Sequence, residues 1–195
     1  FVPHTAGPNL IHQFRFDEKT GRLSSNAAGK VTPPEGVGPR HFCFNDSMDV
    51  VHFVNEQGSS VTTYSIDTEE GTLTEVQTLS TLPAGFEGEN TAAEIRITPT
   101  GEYVYASNRG HDSIAAFAVD GTTGALEAIG HTPTEATPRA FTLDPDGAYL
   151  IAAGQSSGKL ATYRIDDETG HLEPLEVYEV GNNPAWVLAL DLGGQ

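Results

Sequence analysis

Apolar and polar residues alternate along short stretches of this chain, the pattern of half-buried β-strands, and nowhere recur with the 3.6-residue period of an amphipathic helix. Three groups of such stretches follow one plan. Each opens on a short apolar strand, His41–Phe44, Glu94–Ile97 or Ala140–Leu143. A tight turn follows: Asn45-Asp46-Ser47, Thr98-Pro99-Thr100-Gly101 or Asp144-Pro145-Asp146-Gly147. In such turns Pro presets φ and Gly accepts positive φ. A second strand comes next (Val50–Asn55, Tyr103–Asn108, Tyr149–Gly154), and after a polar turn a third (Ser60–Ile66, Ser113–Val119, Leu160–Ile165). A hairpin then leads into a fourth strand such as Thr72–Leu79.

That hairpin carries the repeat. Asp is followed four residues later by Gly and two further on by Leu, at Asp17-Gly21-Leu23, Asp67-Gly71-Leu73, Asp120-Gly124-Leu126 and Asp166-Gly170-Leu172. The Asp spacings are 50, 53 and 46 residues. A period in that range marks an array of one supersecondary unit, and four short antiparallel strands per unit describe the blade of a β-propeller. The fold class is therefore all-β, a partial β-propeller forming one domain over 1–195. Its expected divisions are a partial blade at 1–38, full blades at 39–91, 92–137 and 138–183, and at 184–195 the lone first strand of a closing blade, Pro184–Leu190. Closed propellers have about 4 to 8 blades. The chain opens inside a strand, so this pattern is expected to be the C-terminal part of a longer propeller whose uncovered blade faces would favour self-association.

Strand directions place the start of each first strand and the end of each second strand on one face of the disc, here called the mouth, with the Asp hairpins opposite. The first ring of mouth residues reads Arg40, Ala93, Arg139, Ala185, and its next positions His41, Glu94, Ala140, Trp186. The second ring reads His4, Glu56, Arg109, Gln155. Three of only seven Arg occupy these positions. They could bridge neighbouring blades as ion pairs, Arg40 with Glu56 or Arg109 with Glu94. They also make an anion site with a potential base, because Arg grips carboxylate or phosphate with two parallel donors. The connection between Leu79 and Glu94 is about seven residues longer than its counterpart and carries Pro83-Ala84-Gly85-Phe86-Glu87-Gly88-Glu89-Asn90 on the mouth side. A lid and a plain surface insertion both fit it.

Charge narrows the partners. With 27 acids against 10 bases and a net charge of −17, a nucleic-acid surface is excluded as the expectation. No stretch has the apolar length that crosses a bilayer. The single cysteine, Cys43, lies between Phe42 and Phe44, reads as a buried structural residue and fits a reduced, cytoplasmic compartment. His12, His52, His111, His131 and His171 read as strand or loop residues without metal-ligand spacing, so no metal or other cofactor is expected. Gly154-Gln155-Ser156-Ser157-Gly158 is flanked by two strands, whereas a nucleophile elbow needs a strand-to-helix turn.

An ordered set of motifs covers nearly the whole chain: Gly38-Pro39-Arg40-His41, Val54-Asn55-Glu56, Ile97-Thr98-Pro99-Thr100-Gly101, Ala106-Ser107-Asn108-Arg109, Thr132-Pro133-Thr134-Glu135, Pro138-Arg139, Ala152-Ala153-Gly154-Gln155 and Asn183-Pro184-Ala185-Trp186-Val187. It resembles the seven-bladed propeller lactonases, which include propeller-type 6-phosphogluconolactonases and the fungal carboxy-cis,cis-muconate cyclase. The resemblance implies a metal-free lactonase acting on a small anionic lactone, with about four blades' worth of a seven-bladed parent present. It also leaves room for a muconate-type cyclase. From another class, a non-catalytic binding platform is the rival reading. In the muconate cyclase two Arg, a Glu and a His form the proposed site; Arg40, Glu56 and Arg109 match the first three, and its His would lie before Phe1. The candidate catalytic residues are Glu56, His41 and Arg109, with Arg40, Arg139, Glu94 and Gln155 as substrate contacts and either Glu56 or His41 as the base.

Overall fold

The structure, a computed structural model, describes residues 1–193. Its first sheet has three antiparallel strands, β1 (Val2–His4), β2 (Leu10–Asp17) and β3 (Arg22–Val31). Three four-stranded antiparallel sheets follow. The first holds β4 (Pro39–Phe44), β5 (Val50–Asn55), β6 (Ser60–Asp67) and β7 (Thr72–Ser80). The next holds β8 (Thr91–Ile97), β9 (Tyr103–Arg109), β10 (Ser113–Val119) and β11 (Leu126–Pro133). The last holds β12 (Pro138–Leu143), β13 (Tyr149–Gly154), β14 (Lys159–Ile165) and β15 (Leu172–Glu179). Strand order in space is strand order in sequence, and β8 touches both β4 and β12 near the centre. These are propeller blades, and no helix occurs among the described residues. No helix is long and apolar enough to cross a membrane.

Each Asp-x-x-x-Gly hairpin is built by its own side chain. The carboxylate accepts the backbone N–H groups two and three residues on, as at Asp120 from Thr122 and Thr123 at 3.1 and 2.8 Å. The Gly N–H closes the turn onto the Asp carbonyl, for example Gly124 to Asp120 at 2.8 Å. The four glycines take φ between +67° and +70°, where any Cβ is strained.

The hairpin is also where blades dock. The N–H of Leu126 donates to Gln77 Oε1 at 2.7 Å while Gln77 Nε2 donates to the Leu126 carbonyl at 2.9 Å, so one side chain replaces a strand partner across two blades. Leu73 donates in the same way to Gln13 Oε1 at 2.9 Å. Asn26 donates to the carbonyls of Glu70 and Gly71, and the Tyr105 hydroxyl to the Gly170 carbonyl at 2.8 Å. The leucines report the packing: Leu126 and Leu172 are 5% and 7% exposed against a preceding blade, whereas Leu23, with none beside it, is 64% exposed.

The cores accordingly lie between blades. Val54 and Val61 pack with Ile95, Val104, Ala115 and Phe117, and Tyr105 and Ile114 with Phe141, Leu150 and Tyr163. Outer apolar residues such as Val177 and Tyr178 of β15 and Phe16 of β2 remain exposed. The expected strand at Pro184–Leu190 is corrected: that segment carries no strand assignment and no ladder. An innermost strand bonds only the second strand of its own blade, and none follows it among the described residues.

His52, on β5, is fully buried; its Nδ1 lies 2.9 Å from Thr63 Oγ1 and its Nε2 has no partner. Burial pushes its pKa from 6.5 down to about 4. The folded state therefore holds His52 neutral, and its contribution is intact above pH 6.5 and lost as pH falls from there to about 4. Urea denaturation across this window should show a loss of about 3 kcal/mol that His52→Gln removes. An unchanged pH dependence in that variant would assign the acid sensitivity elsewhere.

Candidate active site

The mouth residues project from irregularities in the first strands. Pairing of β4 with β5 slips between Pro39 and Phe42, of β8 with β9 between Ala92 and Ile95, and of β12 with β13 between Pro138 and Ala140. The extra residues at these bulges are Arg40 and His41, Ala93 and Glu94, and Arg139. A bulge frees a residue from the ladder and re-aims its side chain, which is how an apolar innermost strand presents charge. It also explains why these strands begin two or three residues earlier than alternation predicts.

Two carboxylates anchor the mouth in different ways. Glu56, just past β5, is held at both oxygens: Oε2 lies 3.2 Å from Arg40 Nε and Oε1 2.7 Å from Arg109 Nη2. Arg40 Nη1 also donates to the Ala93 carbonyl and Arg109 Nη2 to the Ala92 carbonyl at 3.2 Å. Burial lowers the Arg40 pKa from its usual value, Glu56 opposes that shift, and Arg109 and Arg139 add to it. Arg139 is half-buried and has neither an ion pair nor a side-chain hydrogen bond among the described residues.

Glu94, on β8, is 2% exposed. Its Oε1 lies 3.1 Å from His41 Nδ1 and 3.6 Å from Arg96 Nε, and accepts the Ile95 N–H at 3.3 Å, while Oε2 has no partner. Little of Glu94 is exposed, although it lines the cleft described below. The pairing of Arg109 with Glu94 is replaced, since Arg109 reaches Glu56. Arg96 was not legible as a site residue, although strand alternation places it on the same side of β8 as Glu94. Its guanidinium lies 5.7 Å from the Trp186 ring centre.

Two depressions flank these groups. One of about 350 Å³ is lined by Pro3, Arg40, His41, Phe42, Glu94, Arg96 and Trp186. The other, about 650 Å³, is lined by Gln57, Glu89, Asn90, Thr91, Arg109, Gly110 and Thr137. Glu56, bonded to an Arg in each lining, links them. The long connection forms a wall of the larger one: Asn90 donates to Ser59 Oγ and Asn108 Oδ1, Thr81 is fully buried, and Phe86 stacks edge-on against His111 at 4.9 Å. These bonds tie both ends of the insertion to the blades. Gln155, half-buried after β13, makes only a backbone bond, to the Thr137 carbonyl. His4 stacks on His12 at 5.0 Å and makes no ion pair or hydrogen bond with the Arg groups. Cys43 is half-buried rather than fully buried as its neighbours suggested, and desolvation pushes its thiol up to about 12, which disfavours the thiolate at neutral pH.

Replacing Glu56 by Gln leaves two half-buried guanidiniums without their carboxylate. Glu56→Gln should lower unfolding free energy by about 2 kcal/mol in urea denaturation, and Glu56→Gln with Arg109→Gln should lose less than the two separate losses combined. Additive losses would mean that the bridge does not act as a unit.

The family model for the seven-bladed β-propeller lactonases matches residues 3–189. A 6-phosphogluconolactonase of Pectobacterium carotovorum is 44% identical over 174 residues, 88% of this chain and 52% of that protein. One from Erwinia tasmaniensis is 38% identical over 188 residues, 96% of this chain and 56% of that protein. The chain thus spans about half the length of the curated relatives it matches. Among solved structures, a putative 6-phosphogluconolactonase of Bacteroides fragilis superimposes with a TM-score of 0.85 at 28% identity, over 94% of this chain and 52% of that one. The periplasmic gluconolactonase of Pseudomonas aeruginosa gives 0.84 at 28% identity, over 90% and 49%. With blades, relatives and family model in agreement, the chain belongs to the seven-bladed β-propeller lactonase family.

Proposed function

We propose that this mouth is part of a lactonase site that hydrolyses a phosphorylated sugar-acid lactone of the 6-phosphogluconolactone type, without a metal. The observation that carries the reading is the convergence of Arg40, Arg109 and Arg139 with one imidazole, His41, on a single face. The names of the relatives point the same way, as 6-phosphogluconolactonases. Arg40 and Arg109 are fixed by Glu56, so their remaining N–H groups are oriented before substrate arrives. Arg139, with no side-chain partner among the described residues, takes the substrate's distal anion.

Glu56 has both oxygens engaged by guanidiniums, so neither is turned to a water, which leaves His41 as the base. His41 removes a proton from water as the water oxygen bonds to the lactone carbonyl carbon. The tetrahedral oxyanion faces the Arg40 and Arg109 donors. Its collapse breaks the ring C–O bond, and the imidazolium returns the proton to the leaving ring oxygen. The product is the open hydroxy acid. No step needs a metal, because the guanidiniums supply the positive charge that a Lewis acid would.

The test is hydrolysis of 6-phosphoglucono-δ-lactone by the chelator-treated full-length protein, followed as acid release. Arg139→Ala should raise KM for this lactone about 10- to 100-fold, the loss of one charge-assisted contact, and leave KM for unphosphorylated glucono-δ-lactone nearly unchanged. His41→Gln should lower kcat at least about 100-fold. No turnover by the unsubstituted protein would end the reading, and equal KM changes for both lactones would remove Arg139 from the phosphate.

A further inference from the structure

The two mouth carboxylates differ in a way that the lactonase reading leaves unused. Glu56 is neutralised by two guanidiniums at 2.7 and 3.2 Å, one at each oxygen. Glu94 is more deeply buried, yet its closest side-chain neighbour is an imidazole at 3.1 Å, its Arg96 contact is 3.6 Å, and Oε2 is unpartnered. Leaving a buried carboxylate oxygen bare is costly for a group with a purely structural task. A bulge in β8 nevertheless aims this carboxylate at His41.

We infer that Glu94 is the positioning residue of the base: Glu94 and His41 form a carboxylate–imidazole dyad in which Glu94 sets the tautomer and orientation of the ring. The inference rests on the assignment of His41 as base.

Two groups approach His41 Nδ1, Glu94 Oε1 at 3.1 Å and Arg40 Nη1 at 3.3 Å, and only one can be its partner. Arg40 Nη1 commits one of its two hydrogens to the Ala93 carbonyl, and the carboxylate, nearer to Nδ1, is the stronger partner. An ionised carboxylate only accepts, so Nδ1 carries the hydrogen and donates it to Glu94. That leaves the lone pair on Nε2, the nitrogen available to a water in the cleft that His41 lines. When Nε2 takes the water's proton, the ring becomes a cation facing a buried anion. Little water screens that pair, so the charge is stabilised where it forms. Glu94 makes no bond to substrate. The Ser107 hydroxyl, which accepts the Glu94 N–H at 3.0 Å, steadies the backbone that carries it.

The experiment compares Glu94→Gln, His41→Gln and the double variant in the full-length protein. Glu94→Gln should lower kcat about 10- to 100-fold while KM stays within about twofold, because Glu94 touches no substrate. Groups acting as a unit are non-additive, so the double variant should be no slower than His41→Gln. Losses that multiply, or a rise in KM with kcat intact, would overturn the dyad. A readout independent of turnover is long-range ¹H–¹⁵N NMR of the His41 ring: protonated Nδ1 and bare Nε2 are expected, giving way to a tautomer mixture in Glu94→Gln. A ring protonated at Nε2 in the unsubstituted protein would overturn the dyad even if lactonase activity is present. The expected tautomer without any lactonase activity would uphold the geometry and remove only the reading on which its role rests.

Discussion

Everything in this molecule follows from how one blade docks on the next. A four-stranded sheet with two apolar faces cannot stand alone in water, and the Asp-x-x-x-Gly-x-Leu hairpin is the part that joins it to its neighbour. The Asp side chain and the positive-φ Gly close the turn locally, and the Leu two residues on enters the space between blades. Burying one leucine stabilises by roughly 1.5–3 kcal/mol. The Gln and Asn side chains that satisfy the hairpin's backbone then set the angle between blades. Leu126 and Leu172 against Leu23 show the same residue type buried or exposed solely by whether a preceding blade adjoins it.

The chemistry depends on this docking at a distance. Hairpins on one face fix the rotation of each blade about the central axis, and that rotation brings the first strands together at the other face. Arg40 from one blade and Arg109 from the next therefore meet on Glu56, and His41 meets Glu94 across the same boundary. The Glu56–Arg109 and His41–Glu94 pairs both cross between blades, so the site exists only where two blades are correctly joined. The environments then separate two like side chains: one carboxylate is saturated by guanidiniums and holds them rigid, while the other is buried against an imidazole and left partly bare.

Much of this was legible beforehand, for identifiable reasons. Alternating polarity and a near-constant Asp period reveal strand order, because a repeat unit has no freedom to reorder itself. The same period aligns Arg40 with Arg139 and Glu56 with Arg109, which is enough to place them on one face. Partner choice was less legible. Glu94 read as a partner for Arg109, whereas its bulge aims it at His41. Arg96 carried no signal of its own beyond sharing a strand side with Glu94. The long connection read equally as lid or insertion, and only the bonds of Asn90 and the stacking of Phe86 on His111 identify it as a wall.

By itself the sequence determined what is local and periodic: the all-β class, the blade plan, the hairpin chemistry and the set of charged residues on the mouth face. These depend on side-chain alternation and turn stereochemistry within a few residues, so they can be read without knowing what lies alongside. The tertiary structure alone decided the pairings, the burial of Glu94, the freedom of Arg139 and the unpaired state of Pro184–Leu190. Each depends on groups far apart in the chain approaching within hydrogen-bond range, and shifts of about an ångström at the bulges determine which of them meet.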